Sequence, residues 1–205
     1  MKINNIPLLD QLVAKHHSSD TGLCRHYLEL YSITLGMEAK NVFEFGCGFS
    51  TMALTKALGL TGGKLTSVDL RSLAERNDVP TLELKRAEKY WTFHQGNSLD
   101  IFPKLDHEEC YDVVLHDGSH TAADVTSDLN NVAPFVKSGG LVLIHDTTHY
   151  GLGEEMMKGV NDSELVKSYE NEILTLPFGY GLTIIRVLKN PNNNKEINIT
   201  WKKGI

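Results

Sequence analysis

Apolar and polar positions along the chain change period repeatedly, and each change marks an element. In "LCRHYLELYSITLG" the positions Leu23, Tyr27, Leu30, Tyr31, Thr34 and Leu35 recur at helical spacing, and Gly36 ends the run. Residues from about Ile6 to Met37 read as mainly helical. "NVFEFG" reads as a buried strand, followed by "STMALTKALGL", a helix that Ser50 or Thr51 would cap. Gly62-Gly63 turns the chain into a second strand, "KLTSVDL". Leu73 to Tyr90 reads as mostly helical, broken at Pro80, and leads into "WTFHQGN". A strand at "YDVVLHDG", a helix at "TAADVTSDLNNVAPFV", a strand at "GLVLIHDT" and a short helix around Glu154 to Val160 come next. "YENEILTLP" and "YGLTIIRVLKN" form a hairpin pair across "FGYG", and "NPNNNKEIN" reads as a polar tail.

Strands alternating with helices call for an α/β fold: a parallel sheet, doubly wound, with helices on both faces. Ligands in such folds bind beyond the carboxyl ends of the central strands. Five segments end there in polar or glycine residues: "EFGCG", "SVDL", "HQGNS", "LHDGSH" and "IHDTTH". No repeat and no linker divides the chain. The expectation is one domain over residues 1–205, with a helical region at 1–40, a core at 41–188 and a tail at 189–205.

Composition adds mainly exclusions. With 205 residues and a formal charge of −6, the chain suits one full core and lacks the clustered basic stripe of a nucleic-acid surface. Lys85, Arg86 and Lys89 alternate with Glu83 and Glu88, as on a solvated helix face. Cys24, Cys47 and Cys110 are too scattered for a disulfide framework or a zinc site. The N-terminal segment has no signal-peptide core and no run long enough to span a bilayer, so a cytoplasmic protein with neither membrane nor nucleic-acid partner is expected.

The stretch "FEFGCGFST", Phe43 to Thr51, carries the candidate chemistry. A dinucleotide fingerprint needs G-x-G-x-x-G; Gly46 and Gly48 supply the first two glycines, and Thr51 stands in the third place. Asp69, at the end of the second strand, is placed to accept from ribose hydroxyls. Glu44 would repel a pyrophosphate but suit a cationic, phosphate-free donor. S-adenosylmethionine, with its ammonium, sulfonium and ribose, meets that description, and a nicotinamide dinucleotide does not. The plainer alternative is that Glu44 caps a neighbouring amide and the glycines merely turn the chain.

At this point the sequence resembles the class I S-adenosylmethionine-dependent methyltransferases. "FEFGCGFST", "LTSVDL", "FHQGNSLDIFPKL" and "YDVVLHDGSHTAADVTSDLNNVAPFVKSGGLVLIHDT" carry the resemblance, in the family's order. It is similar to the branch of small-molecule and sugar O-methyltransferases of macrocin and catechol type, which also includes proteins called hydroxylases. The resemblance implies a Rossmann-like seven-stranded sheet, mostly parallel, with an antiparallel C-terminal strand. It also implies that Gly46, Cys47 and Gly48 pass under the cofactor's methionine. Glu44 would lie near the ammonium, Asp69 with Leu70 would lie at the ribose, and Asn97 and Ser98 would close over the adenine. Ser50, Thr51 and Asp117 complete the expected cofactor contacts; Ser98 reads equally as a helix cap.

Methyl transfer to a hydroxyl needs a way to remove its proton, by a base or by a metal. Asp117 ends the fourth strand and His120 follows three residues later, where the metal-dependent relatives carry their base; His120 and Asp117 are the catalytic candidates. Asp146 ends the fifth strand, and with Asp117 it would hold magnesium, manganese or calcium. Catechol-type relatives place a third ligand at Thr147, and sugar-modifying relatives an acidic one at His145; an imidazole there favours a nitrogen-tolerant ion. A backbone-bonded His120 and a capping Asp146 are the alternatives. His116 and His149 receive no role. The expected activity is O-methylation of a small hydroxylated acceptor, a sugar among them; a metal-dependent hydroxylase-like enzyme and a non-catalytic S-adenosylmethionine-binding module are the competing readings. The acceptor pocket would draw on the N-terminal helices, Tyr150, Met156 and Met157, and would be open or completed by a second subunit of a homodimer.

Overall fold

The computed structural model describes residues 12–14, 16, 22–75, 88–107 and 110–192. Most of the proposed helix between Leu73 and Tyr90, with Pro80, Lys85 and Arg86, lies outside them, as do most of the N-terminal segment and the end of the tail.

Seven strands form one sheet: β1 (Asn41–Phe45), β2 (Lys64–Asp69), β3 (Trp91–Gln95), β4 (Tyr111–His116), β5 (Val136–His145), β6 (Glu170–Leu176) and β7 (Leu182–Lys189). Their order is β3-β2-β1-β4-β5-β7-β6. The first five are mutually parallel; β7 runs antiparallel to β5, and β6 antiparallel to β7. Among the described residues, the helices of at least ten residues are α1 (Tyr27–Gly36), α2 (Phe49–Thr61), α4 (Ala122–Val132) and α5 (Gly153–Asp162); two single turns are α3 (Ser98–Ile101) and α6 (Glu164–Lys167). The α/β, seven-stranded, mostly parallel architecture is therefore as expected. The α6 turn was not read from the sequence, and β5 begins earlier than "GLVLIHDT". No helix among the described residues is long and apolar enough to cross a membrane.

Strand alternation sorts the core into two layers. Phe43, Phe45, Val114 and Ile144 pack against α4 and α5 with Phe102, Leu129 and Met156. Val42, Val113, Leu115 and Leu143 pack on the opposite face with Leu30, Leu54 and Leu58 of α1 and α2. Each fully buried aromatic or aliphatic side chain contributes roughly 1.5–3 kcal/mol. Residues that continue a strand's alternation at its carboxyl end inherit a face. Glu44 therefore points toward α2, where Ser50 and Thr51 meet it, and His116 points toward α4.

Candidate functional site

Five parallel strands pointing the same way bring their carboxyl ends to one edge of the sheet. The turn after β1 is held there by three main-chain contacts. Gly46 N–H donates to the Val68 carbonyl at 2.8 Å, Asp117 N–H donates to Phe45 O at 2.9 Å, and Cys47 N–H donates to Asp69 Oδ2 at 2.8 Å. Gly46 has φ +83°, and an added Cβ would stand 2.2 Å from the Asp117 carbonyl oxygen. Asp69 Oδ1 accepts from Arg71 N–H at 2.8 Å, so this carboxylate organises both the β1 and β2 turns while still lining the cavity.

Glu44 is placed differently from the sequence expectation. It is fully buried beneath the turn and does not line the cavity. Ser50 Oγ donates to it at 2.6 Å, and Thr51 Oγ1 and Ser67 Oγ each at 2.7 Å. Burial lifts its carboxyl to about 7 against those hydrogen bonds. Its carboxylate is thus held inside the fold, under the turn that was expected to pass beneath the donor. Gly48 is the N-cap of α2, and Thr51 Oγ1 accepts from its N–H at 3.1 Å, so Thr51 closes the helix start as expected while also donating to Glu44; Ser50 donates to Glu44. Cys47 and Gly48 are likewise buried behind the cavity wall.

The cavity itself has a volume of about 690 Å³. Asp69, Leu70 and Arg71 line it after β2, and Gly96, Asn97 and Ser98 after β3. Asn97, rather than Ser98, is the helix cap; its side chain accepts from Leu99 N–H at 2.9 Å. Asp117 to His120 form the middle of the wall, and His145, Asp146, His149 and Tyr180 the far end. Asp69, Asp117, Asp124, Asp128 and Asp146 all line this space, and among the described residues Arg71 is the only lysine or arginine that does. The acidity that the sequence reading located in Glu44 is thus supplied by aspartates.

At the far end four side chains interlock. His120 Nε2 lies 2.8 Å from Asp146 Oδ2. His145 Nδ1 lies 3.0 Å from Asp117 Oδ1 and 3.3 Å from Asp146 Oδ1, and its Nε2 donates to Gly179 O at 2.9 Å. Both nitrogens of His145 therefore face acceptors. Burial opposes its charge, but hydrogen bonds to the two carboxylates prevail and raise it to about 10. Asp146 is itself desolvated, yet His120 and His145 hold it well below the usual carboxylate range. Hydrogen bonding to Asp146 raises His120 against partial burial. Asp117, His120 and Asp146 each present a ligand atom within 4.8 Å of the others. Two carboxylates and an imidazole are a chemically suitable donor set for a divalent ion. Thr147 is turned away, its hydroxyl accepting from Thr183 Oγ1 at 2.9 Å.

Several participants escaped the sequence reading. The hairpin loop presents its carbonyls to the site: Phe178 O accepts from His26 Nε2 at 2.9 Å, Gly179 O from His145, and Tyr180 O from Thr148 N–H at 2.8 Å. The glycine pair in "FGYG" was the available signal. His26 is buried, stacks on Phe178, and is lowered to about 4 chiefly by that burial. His116, which the sequence reading gave no role, pairs through Nε2 with Asp128 Oδ2 at 3.1 Å, and both side chains are buried. Met156 is core, Met157 packs against it, and Tyr150 is 97% exposed; none of the three lines the cavity, whose lining does include Gly22, Leu23, His149 and Tyr180.

A β3-β2-β1-β4-β5-β7-β6 sheet with a glycine turn and an acidic cavity at its carboxyl edge defines the architecture of class I methyltransferases. Residues 43–147, half of the chain, match the family described as Methyltransferase domain, and the chain belongs to that family. No curated protein matches it. Among solved structures it resembles the O-methyltransferase TomG from Streptomyces achromogenes, involved in tomaymycin synthesis and in complex with SAM (18% identity, 88% of this chain, 89% of that one, TM-score 0.65). A putative caffeoyl-CoA O-methyltransferase from Staphylococcus aureus is similar at 16% identity over 90% and 94% of the two chains, TM-score 0.67. MycE methyltransferase of the mycinamycin pathway, in complex with Mg, SAH and mycinamycin VI, is similar at 17% identity over 98% of this chain and 57% of that one, TM-score 0.58.

Proposed function

We propose that this methyltransferase uses S-adenosylmethionine to methylate a hydroxyl of a small polar acceptor, with His120 as general base. The observation that carries the reading is the 2.8 Å contact between His120 Nε2 and Asp146 Oδ2 at the cavity wall. A cavity of about 690 Å³ is of cofactor size. Its aspartates suit a cationic donor, and the Asp69 carboxylate at the end of β2 lines the cavity where ribose hydroxyls would bind. When bound, S-adenosylmethionine supplies a methyl group on a positively charged sulfur.

The residues of this chain do the rest. Gly46 lets the β1 turn pack against the Asp117 carbonyl, so that both residues line the middle of the cavity where the donor would lie. Donation from His120 Nε2–H to Asp146 leaves Nδ1 as the acceptor for the proton of the incoming hydroxyl. Asp146 then stabilises the imidazolium that forms, as an orienting carboxylate does for other histidine bases. Asp117 and Asp146 would hold a divalent metal, with His145 Nδ1, 3.0 and 3.3 Å from their Oδ1 atoms, as a third donor while His120 is kept as the base; such an ion would lower the proton affinity of an acceptor hydroxyl. The polar far wall, with His149 and Tyr180 beside Asp117 and Asp146, favours a hydroxyl-rich acceptor such as a sugar.

Calorimetric titration with S-adenosylhomocysteine tests the reading. One site per chain is expected, with no binding of a nicotinamide dinucleotide; failure to bind S-adenosylhomocysteine overturns it.

A further inference from the structure

Asp128 is a buried carboxylate with one oxygen engaged and the other left over. Its side chain is 1% exposed, and Oδ2 accepts from His116 Nε2 at 3.1 Å. Oδ1 is buried and has no hydrogen-bond partner among the described residues. Leaving a buried carboxyl oxygen unpaired is costly, so such an atom in a folded protein calls for a partner that arrives from outside the fold. The proton transfer assigned to His120 and Asp146 makes no use of it.

Buried as it is, Asp128 still borders the cavity, together with the apolar side chains Phe45 and Val68. The turn after β3 is brought to the same helix. Gly96 sits on Ile101, where a Cβ would stand 2.8 Å from Ile101 Cγ1, and Ile101 packs against the core cluster that holds Val125 and Leu129 of α4. Asp124, one helical turn before Asp128, also lines the cavity, but its Oδ2 is occupied by Ser119 Oγ at 2.6 Å. Apolar floor residues suit a flat ring, and the spare oxygen of Asp128 suits an N–H on that ring's edge.

We propose that Asp128 Oδ1 accepts a hydrogen bond from the exocyclic amino group of the donor's base, and so selects an amino-purine over an oxo-purine. His116 is a positioning residue: its Nε2–H holds Oδ2 and thereby fixes the plane of the carboxylate. An ionised carboxylate only accepts hydrogen bonds. Adenine offers it an amino group, whereas the deaminated base puts a carbonyl oxygen in the same place. Oxygen would then face oxygen, and the buried acceptor would stay unpaired. The inference rests on the methyltransferase reading for the presence of an adenosyl ligand, and adds to Asn97 and Ser98 a base-selecting residue from α4.

Calorimetric titration with S-adenosylhomocysteine and with its deaminated analogue, S-inosylhomocysteine, tests the assignment. The wild-type protein is expected to bind the adenosyl compound at least about 30-fold more tightly. In Asp128→Asn the amide oxygen keeps the bond from His116, and the amide N–H2 takes the place of Oδ1. The preference should therefore shrink at least about tenfold. A purely structural role for Asp128 would weaken both ligands together and leave their ratio unchanged. The double variant His116→Gln/Asp128→Asn, a hydrogen-bonded neutral pair, makes the same measurement if the single variant does not fold. A wild-type preference below about 30-fold, or a preference that shrinks less than about tenfold, overturns the proposal while S-adenosylhomocysteine still binds. Absence of any S-adenosylhomocysteine binding to the wild-type protein overturns the methyltransferase reading, and this assignment with it.

Discussion

The carbonyl of Asp117 passes so close to Gly46 that a β-carbon on the glycine would stand 2.2 Å from its oxygen. The contact joins the turn after β1 to the turn after β4, the two segments that meet at the middle of the cavity. Gly46→Ala must break it while also holding alanine at φ +83°. A loss of more than about 2 kcal/mol in urea unfolding is expected, together with at least tenfold weaker S-adenosylhomocysteine binding by calorimetry.

Asp146 Oδ2 lies 2.8 Å from His120 Nε2, at the end of the cavity away from Asp69 and Asn97. Asp146→Asn should lower kcat for methyl transfer by about 10²–10⁴-fold while S-adenosylhomocysteine affinity stays within about threefold. Equal losses in both measurements would show that Asp146 acts through the donor site instead.

Glu44 makes stability depend on pH. Its folded value of about 7 lies above the ordinary 4.5 because burial disfavours the charge. Protons therefore bind the folded state more tightly, and this contribution is complete below about pH 4.5 and lost as pH rises through 7. Wild-type stability relative to Glu44→Gln should fall by on the order of 1–3 kcal/mol between pH 5 and pH 8. Melting curves of the two proteins across that range measure it.

His116 and Asp128 form a buried pair within the apolar layer under α4. Removing one partner leaves the other buried without its hydrogen bond. Asp128→Ala should cost about 2–4 kcal/mol, and the double variant His116→Phe/Asp128→Leu should cost less than the sum of the single replacements. Urea denaturation of the four proteins in a double-mutant cycle gives the coupling.

Much of the fold was legible because its signals are local. The alternation in "NVFEF" and "YDVVLH", the helical recurrence in α1 and α4, and the hairpin runs each needed only a few residues of context. The carboxyl-end placement of Asp69, Asp117, His120 and Asp146 followed from strand order alone. Glu44 shows the limit of that logic. Its carboxylate was expected to face a ligand, but the pleat turned it inward to Ser50, Thr51 and Ser67, which lie up to 23 residues away.

By itself, then, the sequence determined an α/β sheet with a glycine turn and an acidic edge, because hydrophobic period and turn chemistry act over short spans. Tertiary structure decided which acids face the cavity, that His145 sits between Asp117 and Asp146, and that Gly179, 34 residues further on, holds it there. Those contacts depend on strand register and on the hairpin folding back beside β5, and such long-range geometry leaves no periodic trace in the chain.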